Sequence, residues 1–234
     1  MRAAPRSRRA LVLVHAAFAA GFLVAGLLTA GCSEDGTGIL DRPPDRRRVT
    51  TPESVLHDLE NAYLERNLAA FDSLLFVPDP GDPGPGFEFR FWPTDVEEGR
   101  MPDSMWGRAD EMAATAWMMN SAQIVEVEID LRFAKSHAVS EPGHEGEREI
   151  SDVTVDLRVE DRMPGEPMPF VYYVEGVQSF RFRPQRVSAD GDTLWRIVSW
   201  SDLGHTATWG SQTSWGRLKW TWYTHSEQRA GARR

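Results

Sequence analysis

The chain has 234 residues, enough for one domain with added segments, and 35 acidic against 26 basic side chains give it a formal net charge of −9. That balance argues against nucleic acid, which needs a basic footprint, and against adhesion of a folded surface to anionic lipid. A single cysteine excludes an intramolecular disulfide, so stability must come from a core built on 41% hydrophobic residues and nine tryptophans.

The first segment reads as an export address. Arg2, Arg6, Arg8 and Arg9 precede an apolar run over residues 10–30 that only His15 interrupts, and small residues close it before Cys32. Leu28-Thr29-Ala30-Gly31-Cys32 resembles the lipobox of bacterial lipoproteins, with Thr29 where leucine is usual. The resemblance implies removal of residues 1–31, lipidation of Cys32, and attachment to a membrane of the bacterial envelope, with the outer membrane or the periplasmic face favoured over the cytoplasm. An uncleaved N-terminal anchor is the alternative, because the apolar run is nearly long enough to span a bilayer. Ser7-Arg8-Arg9 matches a twin-arginine signal poorly. Losing the four leader arginines would take the formal charge to −13, so attachment would rest on the lipid alone. Residues 32–50 are poor in apolar side chains and rich in Gly, Pro and charge, the composition of a flexible tether.

A folded domain is expected over residues 51–224, with a disordered tail over 225–234. Thr51-Pro52-Glu53 opens a helix whose apolar face is Val55, Leu56, Leu59, Ala62 and Tyr63. Asn67 caps a second, shorter helix carrying Phe71, Leu74 and Leu75. The Pro/Gly/Asp run over residues 78–86 is a loop, and Phe87, Phe89 and Phe91 alternate with charges as a short strand. A helix over residues 108–120 is expected to place Ala109, Met112, Ala116 and Met119 on one face.

Four long strands follow. In residues 124–133 Val125, Val127, Ile129, Leu131 and Phe133 oppose Glu126, Glu128, Asp130 and Arg132, and in residues 150–160 Val153, Val155, Leu157 and Val159 alternate in the same way. Residues 170–183 and 193–203 complete the set, separated by the turn signal Ala189-Asp190-Gly191-Asp192. Hairpin-type connections imply antiparallel pairing, and one polar face implies that helices cover only the other. Leu218, Trp220 and Trp222 alternate as an edge strand, with a helix from Ser214 as the alternative.

This order, an α+β arrangement of N-terminal helices packed on a curved antiparallel sheet, resembles the cone of nuclear transport factor 2 (NTF2) and its relatives, the ketosteroid isomerases and the SnoaL-like polyketide cyclases. The segments that carry the resemblance are Thr51-Pro52-Glu53-Ser54-Val55-Leu56, Ala62-Tyr63-Leu64-Glu65-Arg66-Asn67-Leu68 and Trp106-Gly107-Arg108-Ala109-Asp110-Glu111. Trp195-Arg196-Ile197-Val198 and Ser214-Trp215-Gly216-Arg217-Leu218-Lys219 extend it to residues 51–220, and together they look like a group of bacterial lipoproteins with this fold.

The resemblance implies an enclosed pocket, for which Tyr63, Met112, Tyr172 and Phe180 are candidate lining residues. An isomerase-type site would need a carboxylate and a tyrosine aimed at one substrate oxygen. Tyr172 is expected inside and Glu175 outside, and the strand acids Glu126, Glu128, Asp130 and Asp156 fall on the polar face, so no such pair emerges. His144-Glu145-Gly146-Glu147 lacks metal-ligand spacing and reads as a solvated loop; no metal or cofactor is expected. His57, His137, His205 and His225 are scattered, and no nucleophile elbow or phosphate loop is present. Trp220 and Trp222 are candidate interface residues, with a homodimer through the sheet as one arrangement. The functional expectation is a membrane-anchored, non-catalytic domain that binds a small apolar ligand or a protein partner. A SnoaL-like or isomerase-like enzyme and a structural homodimer are the alternatives.

Overall fold

The computed structural model describes residues 50–81, 84–162, 165–186, 193–205 and 213–231. The leader, Cys32, the tether up to residue 49 and the Asp190-Gly191-Asp192 turn signal lie outside the described residues. Thr51 caps the first helix, α1 (Pro52–Leu64): its hydroxyl accepts from the Ser54 N–H at 3.2 Å and Ser54 Oγ accepts from the Thr51 N–H at 2.9 Å. The expected apolar face is the buried one. Thr50, which composition assigns to the tether, accepts from the Trp195 N–H at 2.8 Å, so the domain begins one residue earlier.

Asn67 caps α2 (Leu68–Leu74) through the Ala70 N–H. Arg66, between the two helices, has a left-handed φ of 52°. Its guanidinium donates to the carbonyls of Met118, Met119, Ser121 and Ile124 at 2.6–3.3 Å. Most of these carbonyls sit at the C-terminal end of α4 (Arg108–Asn120), where helix geometry leaves acceptors without partners.

The strands are β1 (Glu88–Arg90), β2 (Met105–Gly107), β3 (Ile124–Arg132), β4 (His137–Ala138), β5 (Arg148–Asp161), β6 (Phe170–Arg186) and β7 (Thr193–His205), with α3 (Pro93–Glu97) between the first two. One sheet runs β2-β1-β7-β6-β5-β3, and β4 pairs with β5. The four long strands are antiparallel as expected; β1 lies parallel to β7, so the sheet is mixed. Register shifts in β3, β5 and β7 bend it, and one of them overturns a predicted side chain. The slip between Ile124 and Glu126 puts Ile124 on the core face and leaves Val125 43% exposed.

Two helices also differ from expectation. In α4 the buried residues are Glu111, Ala114, Thr115, Trp117, Met118 and Met119, so Met119 faces the core as expected, while Ala109 is exposed and Met112 and Ala116 are half-buried. The face is rotated because two polar residues belong to it, and counting apolar residues alone selects the wrong meridian. Residues 215–231 form α5 (Trp215–Gly231) rather than an edge strand, and the helix continues into the expected tail. Trp215, Leu218, Lys219 and Trp222 are its buried stripe.

The described residues form the expected α+β arrangement: α1, α2, α4 and α5 pack on one face of a curved sheet, and charged side chains cover much of the other. Among the described residues, no helix is long and apolar enough to cross a membrane. Replacing Arg66 with alanine is expected to lower unfolding free energy by about 2 kcal/mol in urea titration of the full chain, because several buried carbonyls lose their donor. Arg66→Lys should recover only part, since an ammonium lacks the planar fork.

Candidate functional site

The centre of the cone is built from three sequence segments. Glu111 sits in the first turn of α4, where the helix dipole favours a carboxylate. Trp106, on β2 just before that helix, donates its indole N–H to Glu111 Oε2 at 3.1 Å. Lys219 enters from α5 and donates from Nζ to Glu111 Oε1 at 2.5 Å; Thr115, one turn further along α4, donates to the same oxygen at 3.3 Å. Both side chains of the ion pair have 0% exposure.

Aromatic faces complete the ammonium's surroundings. Lys219 Nζ lies 3.3 Å from the Trp200 ring centroid, 4.1 Å from that of Phe89 and 5.4 Å from that of Trp215. Burial lowers the Lys219 pKa to about 8 although the charges of Glu111 and Asp202 oppose it. Burial, and then the Glu111 charge, push the Tyr63 hydroxyl well above its ordinary value. That hydroxyl approaches Thr115 and the Trp215 indole without completing a well-aligned hydrogen bond to either.

A second polar layer fixes the start of α5. Ser214 Oγ accepts from the Arg217 N–H at 3.1 Å and donates to Asp95 Oδ2 at 2.6 Å, and Asp202 Oδ2 accepts from the Gly216 N–H at 2.7 Å. Asp202 Oδ1 accepts from Gln178 at 3.0 Å, and Gln178 in turn accepts from Trp200 Nε1 at 2.9 Å. Burial raises the Asp202 pKa against these hydrogen bonds. Gly216 is required by space: a Cβ there would stand 2.7 Å from Phe91 and 3.1 Å from Asp202.

Tyr63 therefore feels the charge of Glu111, but Glu111 Oε1 is already bound by the chain's own ammonium. Tyr63 and Phe180, expected on a pocket wall, lie in a filled core, Tyr63 edge-on to Trp215 at 5.4 Å and Phe180 beside Trp200 at 4.8 Å. Met112 packs half-buried at the core's edge. Trp222, expected at a surface, is 1% exposed and stacks on Trp117 of α4. Tyr173, Glu175, Glu126, Glu128, Asp130 and Asp156 lie on the outer face as read from the alternation. Arg158 binds Glu126, Glu128 and Glu160 there. His144 pairs with Glu147 in the loop before β5.

Tyr172 and Trp220 instead share an open groove at the rim of the cone, about 420 Å³, with Phe170, Met101, Arg100 and Arg217. Phe170 meets Tyr172 edge-on at 4.7 Å. Arg100 is held by Asp95 and Glu98, whereas Arg217 has no acidic partner among the described residues. Sequence reasoning missed Glu111, Lys219, Asp202 and Arg217. One signal was available: Lys219 is one of only two lysines in an arginine-rich chain, one helical turn from Trp215 and within a tryptophan-rich segment.

No family model matches the chain, and no curated protein matches it. Solved structures are similar to it at low identity. An NTF2-like superfamily protein from Salmonella enterica is 13% identical over 67% of this chain and 89% of its own, with a TM-score of 0.42. An NTF2-like protein of unknown function in nutrient uptake from Rhodospirillum rubrum is 12% identical over 64% and 94%, with a TM-score of 0.34. A hexachlorocyclohexane dehydrochlorinase, LinA-type3, from Novosphingobium barchaimii is 11% identical over 64% and 81%, with a TM-score of 0.35.

Removing one member of a buried pair strands the other charge. Lys219→Met is expected to cost about 3 kcal/mol or more, and the double variant Lys219→Met/Glu111→Leu to regain most of it, measured by urea unfolding of the full chain. The pH dependence has a definite sign. A lysine whose folded pKa is lowered binds fewer protons folded than unfolded, so its penalty is complete below about pH 8 and is relieved as pH rises toward the ordinary lysine value of 10.5. The wild-type chain should therefore gain stability over that window relative to the double variant.

Proposed function

We propose that this chain is an envelope lipoprotein, held by a lipid on Cys32, whose NTF2-like domain is a non-catalytic binding module for an apolar carboxylate. One observation carries the reading: the polar centre of the cone is filled by Lys219 and Trp215, while the rim keeps an open aromatic groove with a cation, Arg217, that has no acidic partner among the described residues. Phe170, Tyr172, Met101 and Trp220 offer an apolar bed. Arg217 at its edge complements a single carboxylate by charge and by fork geometry. The reading also absorbs two residues singled out from sequence for different reasons, Tyr172 as pocket lining and Trp220 as a contact.

An isomerase-like enzyme has one observation in its favour, the charge of Glu111 acting on the Tyr63 hydroxyl. Against it, Glu111 Oε1 is already bound by Lys219 and no solvent reaches Glu111. A structural homodimer draws support from the filled core but gives the rim groove no purpose.

Saturation-transfer NMR on the full chain in lipid nanodiscs, with phenylpropionate as probe and phenylpropanol as control, tests the groove. Transfer to the acid exceeding that to the alcohol is expected, with affinity falling about tenfold or more in Arg217→Glu, the value of one charge-assisted hydrogen bond. Equal transfer from both probes, or an unaffected variant, would overturn the reading. The anchor is tested separately: Cys32→Ser should abolish incorporation of labelled palmitate and release or stall the precursor. Unchanged membrane retention would instead point to the uncleaved anchor.

A further inference from the structure

On the sheet face opposite the tryptophan core lies a second hollow, about 160 Å³, whose shape follows from strand register. Glu88, Ser199, Arg181 and Glu149 stand opposite one another across β1, β7, β6 and β5, and Arg90, Ser201 and Ser179 form the neighbouring row. Alternation sends Phe89, Trp200 and Phe180 from the same strands into the core. Three serines at adjoining positions leave a low floor, and longer side chains on either side rise as walls. Pro85, Gly86 and His144 complete the lining.

The walls carry three arginines and three glutamates, and the two kinds are not equally available. Glu147 is 2% exposed; its Oε1 accepts from Arg183 Nε at 2.8 Å and Nη2 at 2.6 Å, and its Oε2 meets His144 Nδ1 at 2.9 Å. Glu149 Oε1 accepts from the Ser179 hydroxyl at 2.6 Å, and Glu88 accepts from Arg90 at 3.1 Å. The acids thus serve to hold the arginines and the floor.

The arginines keep donors in hand. Each guanidinium has five N–H groups, of which, among the described residues, Arg183 uses two on Glu147 and Arg90 one on Glu88. Arg181 is positioned between Glu141 at 3.0 Å and Glu149 at 4.0 Å. Arg183 is fixed further by lying over the Phe76 ring at 4.9 Å. The cleft therefore offers oriented guanidinium donors beside hydroxyls, with its carboxylates each already holding an arginine or a serine.

That inventory selects a ligand. An ammonium group would have to compete with Arg90 and Arg181 for Glu88 and Glu149. A dianion would meet a wall whose charges balance, on a domain that is acidic overall. A ligand bearing one carboxylate can take the free edges of Arg90 and Arg181, and its hydroxyls can both donate to and accept from Ser199 and Ser201. The volume admits roughly five waters' worth of ligand, which limits it to a small molecule.

We propose that this serine-floored cleft binds a small hydroxylated carboxylate, of the hydroxy-acid or sugar-acid class. It lies on the opposite face of the sheet from the rim groove and stands or falls independently of that site.

Calorimetric titration of the full chain in nanodiscs with gluconate, glucuronate and glycerate is the test, with glucose and inorganic phosphate for comparison. At least one of the three acids should bind at up to millimolar concentration and more tightly than glucose or phosphate. Arg181→Gln should weaken it by about tenfold or more. Ser201→Leu, which fills the floor, should abolish it while tryptophan fluorescence of the core stays unchanged. Arg181→Lys keeps the charge and should bind with intermediate affinity, which separates loss of the fork from loss of fold. No heat with any acid, tighter binding of phosphate, or wild-type affinity in both Arg181→Gln and Ser201→Leu would overturn the proposal.

Discussion

The buried contact between Lys219 and Glu111 is the constraint on which the interior depends. Removing two charges from water is unfavourable by several kcal/mol per ion, and attraction between them offsets this only with good geometry and further hydrogen bonds. Here Trp106 and Thr115 supply the hydrogen bonds and Trp200 and Phe89 supply ring faces to the ammonium. The arrangement does more for uniqueness than for stability. An apolar helix could slide along the sheet, whereas one carrying Lys219 has a single position in which its charge is matched. Ser214, Asp95, Asp202 and Gly216 then fix the same helix at its first turn, so its register is specified twice.

Filling the cone from within changes what the fold offers to other molecules. Here the central carboxylate is bound by a lysine and the tyrosine nearby is packed among aromatic rings, so the open hollows lie at the surface. Two of those surface hollows have opposite characters. One is aromatic with two arginines at the rim, and the other is hydroxylic with paired charges on the outer face. The same strand β6 contributes to both, Tyr172 toward the first and Arg181 toward the second.

Much of the fold was legible because its pattern has a single interpretation. The alternation in β5 and the capped face of α1 follow from period and caps, and the structure has them. The failures share a physical cause. In α4 and α5 the core-facing stripes include Glu111, Thr115 and Lys219, and a reading that sorts apolar from polar cannot assign charged residues to the inside. In α5, Leu218, Trp220 and Trp222 satisfy a period of two as well as Trp215, Leu218 and Trp222 satisfy a helical one; only pairing with a residue far away in sequence resolves the choice. Val125 was misplaced because it is itself the extra residue of a bulge between Ile124 and Glu126, which local alternation does not encode.

The distance along the chain between the two members of the central pair has a kinetic meaning. Glu111 and Lys219 are 108 residues apart, and Asp95 and Ser214 are 119 apart. Contacts of that span are slow to form, because loop closure must precede any stabilisation they bring. The sheet and the first helices are complete in sequence well before residue 215, yet until α5 arrives they enclose an unpaired carboxylate and open aromatic faces. Closure of this core is thus an event that waits for the C-terminal helix, and a nascent chain lacking that helix is held short of the native state whatever its local propensities.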